Sequence, residues 1–239
     1  QAAATDKRGI ADLPENEDAY LAELRYHGMA GAATEDFQRD HVDPLLKVIQ
    51  DAGLSIEEAD KFLHARHAPE ANAQLRKINP TEGEIANRIK EAENSGDFAL
   101  ANHLANHAPY DGDNRALSGM SDEEAANVIA EARAAGKHNT LEDVGHRVDA
   151  ITAARRILLV QSGLERRGTI DAWEAVYEHY VPLKREGKAG RLPRRGKGYD
   201  TRGKEKRRVG SQRAVEHVLA NVVAQHESTI LRAEKAKVG

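Results

Sequence analysis

Apolar residues recur every three to four positions along most of the chain, a spacing that places them on one face of an α-helix. From Asn16 to Gly53 this pattern predicts a long N-terminal helix, which Pro44 either kinks or restarts in a first turn. Further helices are predicted over approximately 56–66, 69–78, 82–94, 97–107, 121–135, 140–162, 170–179 and 211–237. Because no stretch shows a useful length of strand alternation, the predicted class is all-α.

The helix starts carry a repeated local signal. A Ser or Thr followed three residues later by an acidic residue is typical of a capping box, in which each side chain satisfies an end amide. This signal occurs at Ser55, Thr81 and Ser121, and in a looser form at Thr140 with Asp143.

The most apolar helix begins near Leu141, and we expect it to lie at the centre of the core. Its last turn, residues 157–160, is apolar on all faces, which requires burial between several neighbours or against a partner chain. The predicted architecture is an irregular, partly elongated multi-helix bundle, one domain overall. It comprises an N-terminal helix (1–53), a helical body (54–183), a basic Gly-rich loop (184–210) and a C-terminal long helix (211–239).

Charge is distributed unevenly along the 239 residues, although the formal net charge is only −4. Residues 184–208 hold 12 Lys and Arg against 3 Asp and Glu, a local charge of +9, which leaves −13 on the remainder. Aromatic residues make up only 4% of the chain, so Ala, Leu, Val and Ile must form the core. The chain has no cysteine, which excludes disulfides, thiolate metal sites and a cysteine nucleophile.

The basic loop is the first candidate site. One interpretation is contact with a phosphate backbone, because each Lys or Arg that neutralises a phosphate releases counterions. The other is docking onto an acidic surface of this chain or of a neighbouring copy. The candidate polyanion or partner contacts are Arg191, Arg194, Arg195, Lys197, Arg202, Lys204, Lys206, Arg207 and Arg208.

A metal site is the weaker candidate, and we expect none. His103 and His107 are four residues apart on one predicted helix face, a spacing that can chelate a metal. A zincin would need Glu where this chain has Leu104, and Asp111 and Asp113 are the nearest further ligands.

Catalytic chemistry is not indicated elsewhere. The acidic pairs Glu57-Glu58 and Glu142-Asp143 and the run Asp122-Glu123-Glu124 fall in predicted first turns, where the helix dipole favours negative charge. The chain lacks a P-loop, a dinucleotide-binding glycine motif and a nucleophile elbow. We therefore expect a protein that is not an enzyme and that uses no cofactor or small-molecule substrate.

Several segments together resemble a region of very large bacteriophage proteins, the large polyvalent proteins, which include internal virion (ejection) and injected antirestriction-type proteins. The segments are DAYLAELRYHG (18–28), FLHARHAPEAN (62–72), SGMSDEEA (118–125), HYVPLKREG (179–187), GKGYDTRGKEKRRVG (196–210) and VLANVVAQHESTILRAEKAKVG (218–239). Of the family pattern around the second segment, Arg66, His67, Ala68, Glu70 and Asn72 match, whereas His64 and Ala71 depart. Residues 81–107 look like an insertion.

The resemblance implies a non-enzymatic structural or assembly module of a virion protein that enters the host with the genome. It also implies a location in the phage particle and then in the host cytoplasm or envelope. The chain starts at Gln1, so we expect a piece of something larger. Its partners would be portal or core proteins of the virion or copies of itself, and the alternative function is nucleic-acid binding through residues 184–208.

Within this interpretation, polar residues of the matching segment have a structural role. Arg66, His67, Glu70 and Asn72 are predicted to form a buried or half-buried network that joins helices, because buried polar groups must find hydrogen-bond partners. Trp173, Tyr177 and Tyr180 are predicted to anchor a short helix before Pro182.

Overall fold

The computed structural model describes residues 19–78, 81–107, 118–184, 215 and 217–238. These residues are mostly α-helical, with no β-strand among them, which confirms the all-α prediction. The helices are α1 (Ala19–Phe37), α2 (Asp43–Asp51), α3 (Ile56–Ile78), α4 (Glu82–Asn94), α5 (Phe98–His107), α6 (Asp122–Ala134), α7 (His138–Gln161), α8 (Arg167–Glu174) and α9 (Val218–Val238). Within the described residues, no helix is both long enough and apolar enough to span a membrane.

Helices α1 and α2 are joined by a π-helical turn, Gln38–Val42, so the chain stays helical from Ala19 to Asp51. Pro44 lies in the first turn of α2. Because proline has no N–H to donate, the regular hydrogen-bond ladder loosens at this point, and the amide of Asp43 bonds to the carbonyl of Gln38 instead.

Helix α3 runs through Pro69 without a break, although the sequence predicted two helices separated at residues 67–68. Proline in a helix interior costs about 3 kcal/mol, so tertiary packing must offset it. The surrounding alanines Ala65, Ala68 and Ala71 are fully buried, and the first two pack against Ala125 of α6. The close contact with α6 accounts for the continuity of α3.

Capping boxes begin three of the helices. Thr81 and Ser121 exchange side-chain and backbone hydrogen bonds with Glu84 and Glu124, and Ser55 does the same with Glu58. The fourth predicted start is wrong, because α7 begins at His138 after a tight turn at Gly136, whose φ is +71°. Thr140 therefore lies inside the first turn and does not cap the helix.

The main hydrophobic core joins α1, α2, α3, α6, α7 and α9. Helix α7 lies across most of these elements, and its buried apolar residues include Val144, Val148 and Ile151. The last turn of α7 is not buried on all sides, because Leu159 is fully enclosed but Ile157 is half exposed. A smaller hydrophobic cluster covers this end of α7. It consists of Leu159, Leu164, Ile170 and Ala233, and Trp173 packs against it.

A buried histidine of α9 packs against the main hydrophobic core. The ring of His226 in α9 is 5% exposed and stacks on Phe37, with ring centroids 4.1 Å apart. Its Nδ1 donates to the carbonyl of Ile151 over 3.3 Å. Burial, aided by the nearby His41 and Arg155, lowers the pKa of His226 to about 4, so this histidine is neutral in the folded protein at pH 7.

The boundaries of α8 and α9 also differ from the predicted ones. Helix α8 ends at Glu174, and residues 175–184 form an irregular segment that contains Tyr177 and Tyr180. Helix α9 begins at Val218, directly after His217, whose φ is +45°. The predicted basic loop, apart from Lys184, lies outside the described residues.

Candidate functional site

The four residues predicted to form a polar network all lie on α3, and their hydrogen bonds connect α3 to α6, α7 and the segment 175–184. We call this set of contacts the α3 junction. Arg66 is its most buried charge, with 5% of its side chain exposed. Its Nε lies 3.1 Å from Glu142 Oε2 and one terminal nitrogen lies 3.1 Å from Asp149 Oδ2, so two carboxylates of α7 neutralise it.

Gly145 makes room for this ion-pair cluster. Glu142, Gly145 and Asp149 share one face of α7, and the Arg66 guanidinium lies across the glycine between the two carboxylates. A Cβ atom built at position 145 would be only 2.2 Å from an Arg66 nitrogen. Glycine at this position therefore permits the close approach of α3 and α7.

Asn72 connects α3 to the start of α6. Its Nδ2 donates to the Met120 carbonyl over 3.0 Å and to Asp122 Oδ1 over 2.7 Å, and its Oδ1 accepts from the Ser118 amide. His64 donates from Nε2 to the Ser118 carbonyl over 3.1 Å. The turn before α6 is thus bound to α3 through its backbone.

Glu70 performs the same function for the segment after α8. Its carboxylate accepts from the amides of Glu178 (2.8 Å) and His179 (3.1 Å), and from His67 Nδ1 over 2.6 Å. Burial acts to raise the pKa of Glu70, but the hydrogen bonds from His67 and from these amides outweigh it, so the pKa is lowered. Glu70 is therefore ionised at neutral pH and is a strong acceptor for the segment.

Aromatic rings and α7 complete the binding of this segment. Tyr177 and Tyr180 contact the fully buried ring of His67, with centroids 5.5 and 5.6 Å away. Thr152 donates to the Tyr180 carbonyl, and Arg156 donates to the Tyr177 carbonyl. The sequence predicted that these tyrosines anchor the short helix before Pro182. Helix α8 ends at Glu174, however, and the two tyrosines pack on α3.

A second carboxylate of α3 binds the chain on the far side of the basic segment. Asp60 Oδ1 accepts from the amide of Leu219 over 2.7 Å, at the start of α9. Burial raises the pKa of Asp60, and the hydrogen bond from Leu219 only partly opposes this. Asp60 and Glu70 are ten residues apart, about 15 Å along one helix. The chain is therefore fixed to α3 both shortly before and shortly after residues 185–214.

The other predicted site residues are placed as follows. The nine Lys and Arg residues between Arg191 and Arg208 lie outside the described residues, as do Asp111 and Asp113. His103 and His107 both belong to α5. In the described part of the chain, no group of three or more His, Asp or Glu side chains is arranged to hold a metal ion.

Several residues of the α3 junction were not predicted. The sequence assigned Glu142 to the first turn of a helix. Helix α7 begins at His138, four residues before Glu142, and the Glu142 carboxylate pairs with Arg66. Asp149, Asp60 and Gly145 carried no assignment. One sequence pattern could have indicated this ion-pair cluster. A glycine that lies between two acidic residues on one helix face leaves room for a long cation, and this pattern occurs at Glu142, Gly145 and Asp149.

Comparison with known proteins gives no relative: no family model, no curated protein and no solved structure matches this chain.

Proposed function

We propose that this chain is a non-enzymatic structural or assembly module of a bacteriophage virion protein that is ejected into the host with the genome. Its partners are other virion proteins, at the portal or core, or copies of itself. The location that follows is the phage particle first and the host cytoplasm or envelope afterwards.

The observation that carries this proposal is the meeting of three of the resembling segments at the α3 junction. Residues 62–72 supply Arg66, His67, Glu70 and Asn72, and residues 118–125 supply the turn that Asn72 binds. Residues 179–187 supply a backbone amide, that of His179, which Glu70 binds. Segments far apart in sequence thus form one set of contacts, which supports treating them as a single structural unit.

The packing of α3 against α6 fits passage through a narrow channel. This contact is made by alanines, with Ala65, Ala68 and Ala125 fully buried, and a methyl group buries far less area than a larger side chain. The chain has no disulfide that would resist unfolding. The α3 junction holds the helices together mainly through hydrogen bonds and ion pairs, which re-form when the helices meet again.

Detection of the chain in purified particles tests the proposal directly. An antiserum against the chain should label particles of the phage that encodes it, and after infection the same antigen should appear in host fractions freed of adsorbed particles. A chain found in infected cells but never in particles would contradict the proposal.

Nucleic-acid binding through residues 184–208 is the second candidate function. The observation that favours it is the double attachment to α3, through Glu70 on one side and Asp60 on the other. The chain is thus held to one helix on either side of residues 185–214, which contain all but one of the Lys and Arg residues of the +9 segment 184–208. A local excess of Lys and Arg favours polyanions, and affinity then falls steeply with salt.

Fluorescence anisotropy with a labelled DNA duplex at two salt concentrations tests this function. The full chain should bind at low salt, and the Arg207→Gln/Arg208→Gln variant should reduce the slope of log K against log [salt] by about 2. The matched control is Lys47→Gln/Arg167→Gln, which removes two exposed charges from α2 and α8 and should leave the slope unchanged. Salt-independent binding, or none, excludes this function.

A further inference from the structure

Helix α1 is attached to the rest of the fold by few buried side chains. Apart from the π-helical turn that follows it, α9 is the described element that it contacts extensively. Of the α1 side chains that the structure describes, Ala30 and Phe37 are the buried ones. Gly28 and Gly31 lie inside α1 and lower its helix propensity. Phe37 is therefore the main apolar anchor of α1.

The surface on which Phe37 packs is a ring that can take up a proton. His226 of α9 stacks on Phe37 with an angle of 9° between the ring planes, and its Nδ1 bonds to the Ile151 carbonyl of α7. A neutral imidazole fits this place, because its flat face meets the phenyl ring and its one N–H has an acceptor. A protonated imidazole carries a charge and a second N–H into a site that is 5% exposed. The attachment of α1 thus depends on a neutral His226.

Two neighbouring groups oppose a positive charge on His226. The ring of His41, in the π-helical turn, has its centroid 6.4 Å from that of His226 and 5.8 Å from that of Phe37. Arg155 of α7 is buried and donates to Thr229, one turn beyond His226 on α9. Burial, aided by His41 and Arg155, lowers the pKa of His226 to about 4. Acid therefore creates repulsion at the place where α1, α7 and α9 meet.

The acidic residues nearest to His226 in the same elements are engaged elsewhere. Asp36 at the end of α1 and Asp40 in the π-helical turn both pair with Arg39. Glu227 follows His226 directly in α9, and consecutive helical residues point about 100° apart. These three carboxylates are therefore not counter-ions of a protonated His226.

We propose that His226 is an acid-sensitive latch, which holds α1 on α9 at neutral pH and releases it when the ring is protonated. The packing of α3 against α6 and α7 does not depend on α1 and should persist in the released form. Release uncovers the face of α9 that α1 covers. This device is independent of the proposed function, because it rests on contacts within one chain.

The size of the effect follows from proton linkage. In the released form His226 lies in water, where its pKa has the ordinary value of about 6.5, whereas in the attached form the pKa is about 4. The released form therefore binds the proton more tightly, so attachment is strongest above about pH 6.5 and weakens as the pH falls. Between pH 7 and pH 5 the ratio of the released to the attached form should rise about 20-fold.

Thiol labelling of the full chain measures this release. The chain has no cysteine, so Ala30→Cys introduces a single thiol at a position that is 4% exposed. The reagent is 4,4′-dithiodipyridine, which reacts with thiols in acid as well as at neutral pH, and the reference is Ala32→Cys at an exposed position of α1. The rate for Ala30→Cys divided by the rate for Ala32→Cys should rise about 20-fold from pH 7 to pH 5. A constant ratio overturns the proposal.

A second substitution in the Ala30→Cys and Ala32→Cys chains identifies the group that responds. His226→Phe keeps a ring against Phe37 but takes up no proton, so the labelling ratio should be the same at both pH values. The matched control is His27→Phe, which removes a titratable ring from an exposed position of α1 and should leave the rise unchanged. A rise that persists in His226→Phe, or that His27→Phe abolishes, overturns the proposal.

A thiol in the main core distinguishes release of α1 from unfolding of the whole chain. Ala132 lies on α6 and is 8% exposed, so Ala132→Cys is uncovered only when the core opens. At pH 5 this thiol should react at least about tenfold more slowly than that of Ala30→Cys. Equal rates at pH 5 would show that the whole chain opens, and would overturn the proposal.

Amide hydrogen exchange of the unmodified chain tests the latch without any substitution. A released α1 frays, because an isolated helix with two glycines is only marginally stable in water. After correction for intrinsic exchange rates, the protection of residues 30–37 should fall about 20-fold from pH 7 to pH 5 and stay far below that of residues 62–68 in α3. Unchanged protection of residues 30–37, or equal protection of the two segments at pH 5, overturns the proposal.

Discussion

Helices α3 and α5 differ sharply in their surroundings, although both are rich in alanine and histidine and both contain one phenylalanine. In α3 every residue from Phe62 to Ala68 is buried, including two histidines and an arginine. In α5 only Ala101 is buried among the side chains described, and Phe98 is largely exposed. A shared content of alanine, histidine and phenylalanine therefore does not determine burial.

The difference lies in what the neighbouring elements provide. Helix α3 meets α6, α7 and α9. Carboxylates of α6 and α7 accept hydrogen bonds from its polar groups, and a backbone amide of α9 donates to Asp60. Helix α5 meets chiefly α4, which presents few apolar residues. The polar side chains of α3 thus hold several helices together, whereas Phe98 and Leu100 of α5 are exposed.

The two phenylalanines should show the largest contrast. Phe62 is 1% exposed, so Phe62→Ala should lower the free energy of unfolding by about 4 kcal/mol. Phe98→Ala, at a 68% exposed position, should change it by less than about 0.5 kcal/mol in dilute solution. Urea unfolding followed by circular dichroism measures both. Similar losses for the two variants would contradict the contrast drawn here.

Removal of the buried cation should have the next largest effect. Arg66→Met removes the buried cation that lies between the partly buried carboxylates of Glu142 and Asp149, which should cost about 3 kcal/mol. Gly145→Ala alone should also destabilise the protein, because its Cβ collides with the guanidinium. The double variant should lose about 1–2 kcal/mol less than the sum of the two single variants, since the collision then disappears. Additive losses in the same urea assay would show that Arg66 does not occupy this space.

Stability should also depend on pH through His226. The pKa of this histidine is about 4 in the folded protein, below its ordinary value near 6.5, so the unfolded chain binds the proton more tightly. The contribution of His226 to the free energy of unfolding is complete above about pH 6.5 and is lost as the pH falls towards 4. Between pH 7 and pH 5 the loss should be about 2 kcal/mol. His226→Gln should remove this loss of unfolding free energy between pH 7 and pH 5. If the variant and the wild type show the same pH dependence in urea unfolding, a group other than His226 causes it.

Local features of the fold were predictable from the sequence because they depend on few neighbouring residues. The capping boxes at Ser55, Thr81 and Ser121 start helices as predicted. The start of α7 was misplaced, because the turn at Gly136 lets the chain re-enter a helix before Thr140. The predicted break at Pro69 was also wrong, because burial of the alanines around it holds α3 together.

Hydrogen-bond partners on other helices could not be predicted from neighbouring residues in the sequence. The sequence singled out Arg66, Glu70 and Asn72, but their partners outside α3 lie 46 to 109 residues away. Nothing within α3 indicates that Asp149 or the amide of His179 approaches it. Only the packing of the helices determines these pairs.

The smallest expected effect comes from two matched capping residues. Ser121→Ala removes the cap of α6, which packs on α3, so it should lower the free energy of global unfolding by about 1 kcal/mol. Thr81→Ala removes the equivalent cap of α4 at a similar local cost. Because α4 and α5 pack chiefly on each other among the described elements, this cost should appear as faster amide hydrogen exchange in α4 and α5, with global unfolding unchanged. If Thr81→Ala instead shifts the global transition as much as Ser121→Ala does, α4 and α5 unfold in the same cooperative unit as α3 and α6.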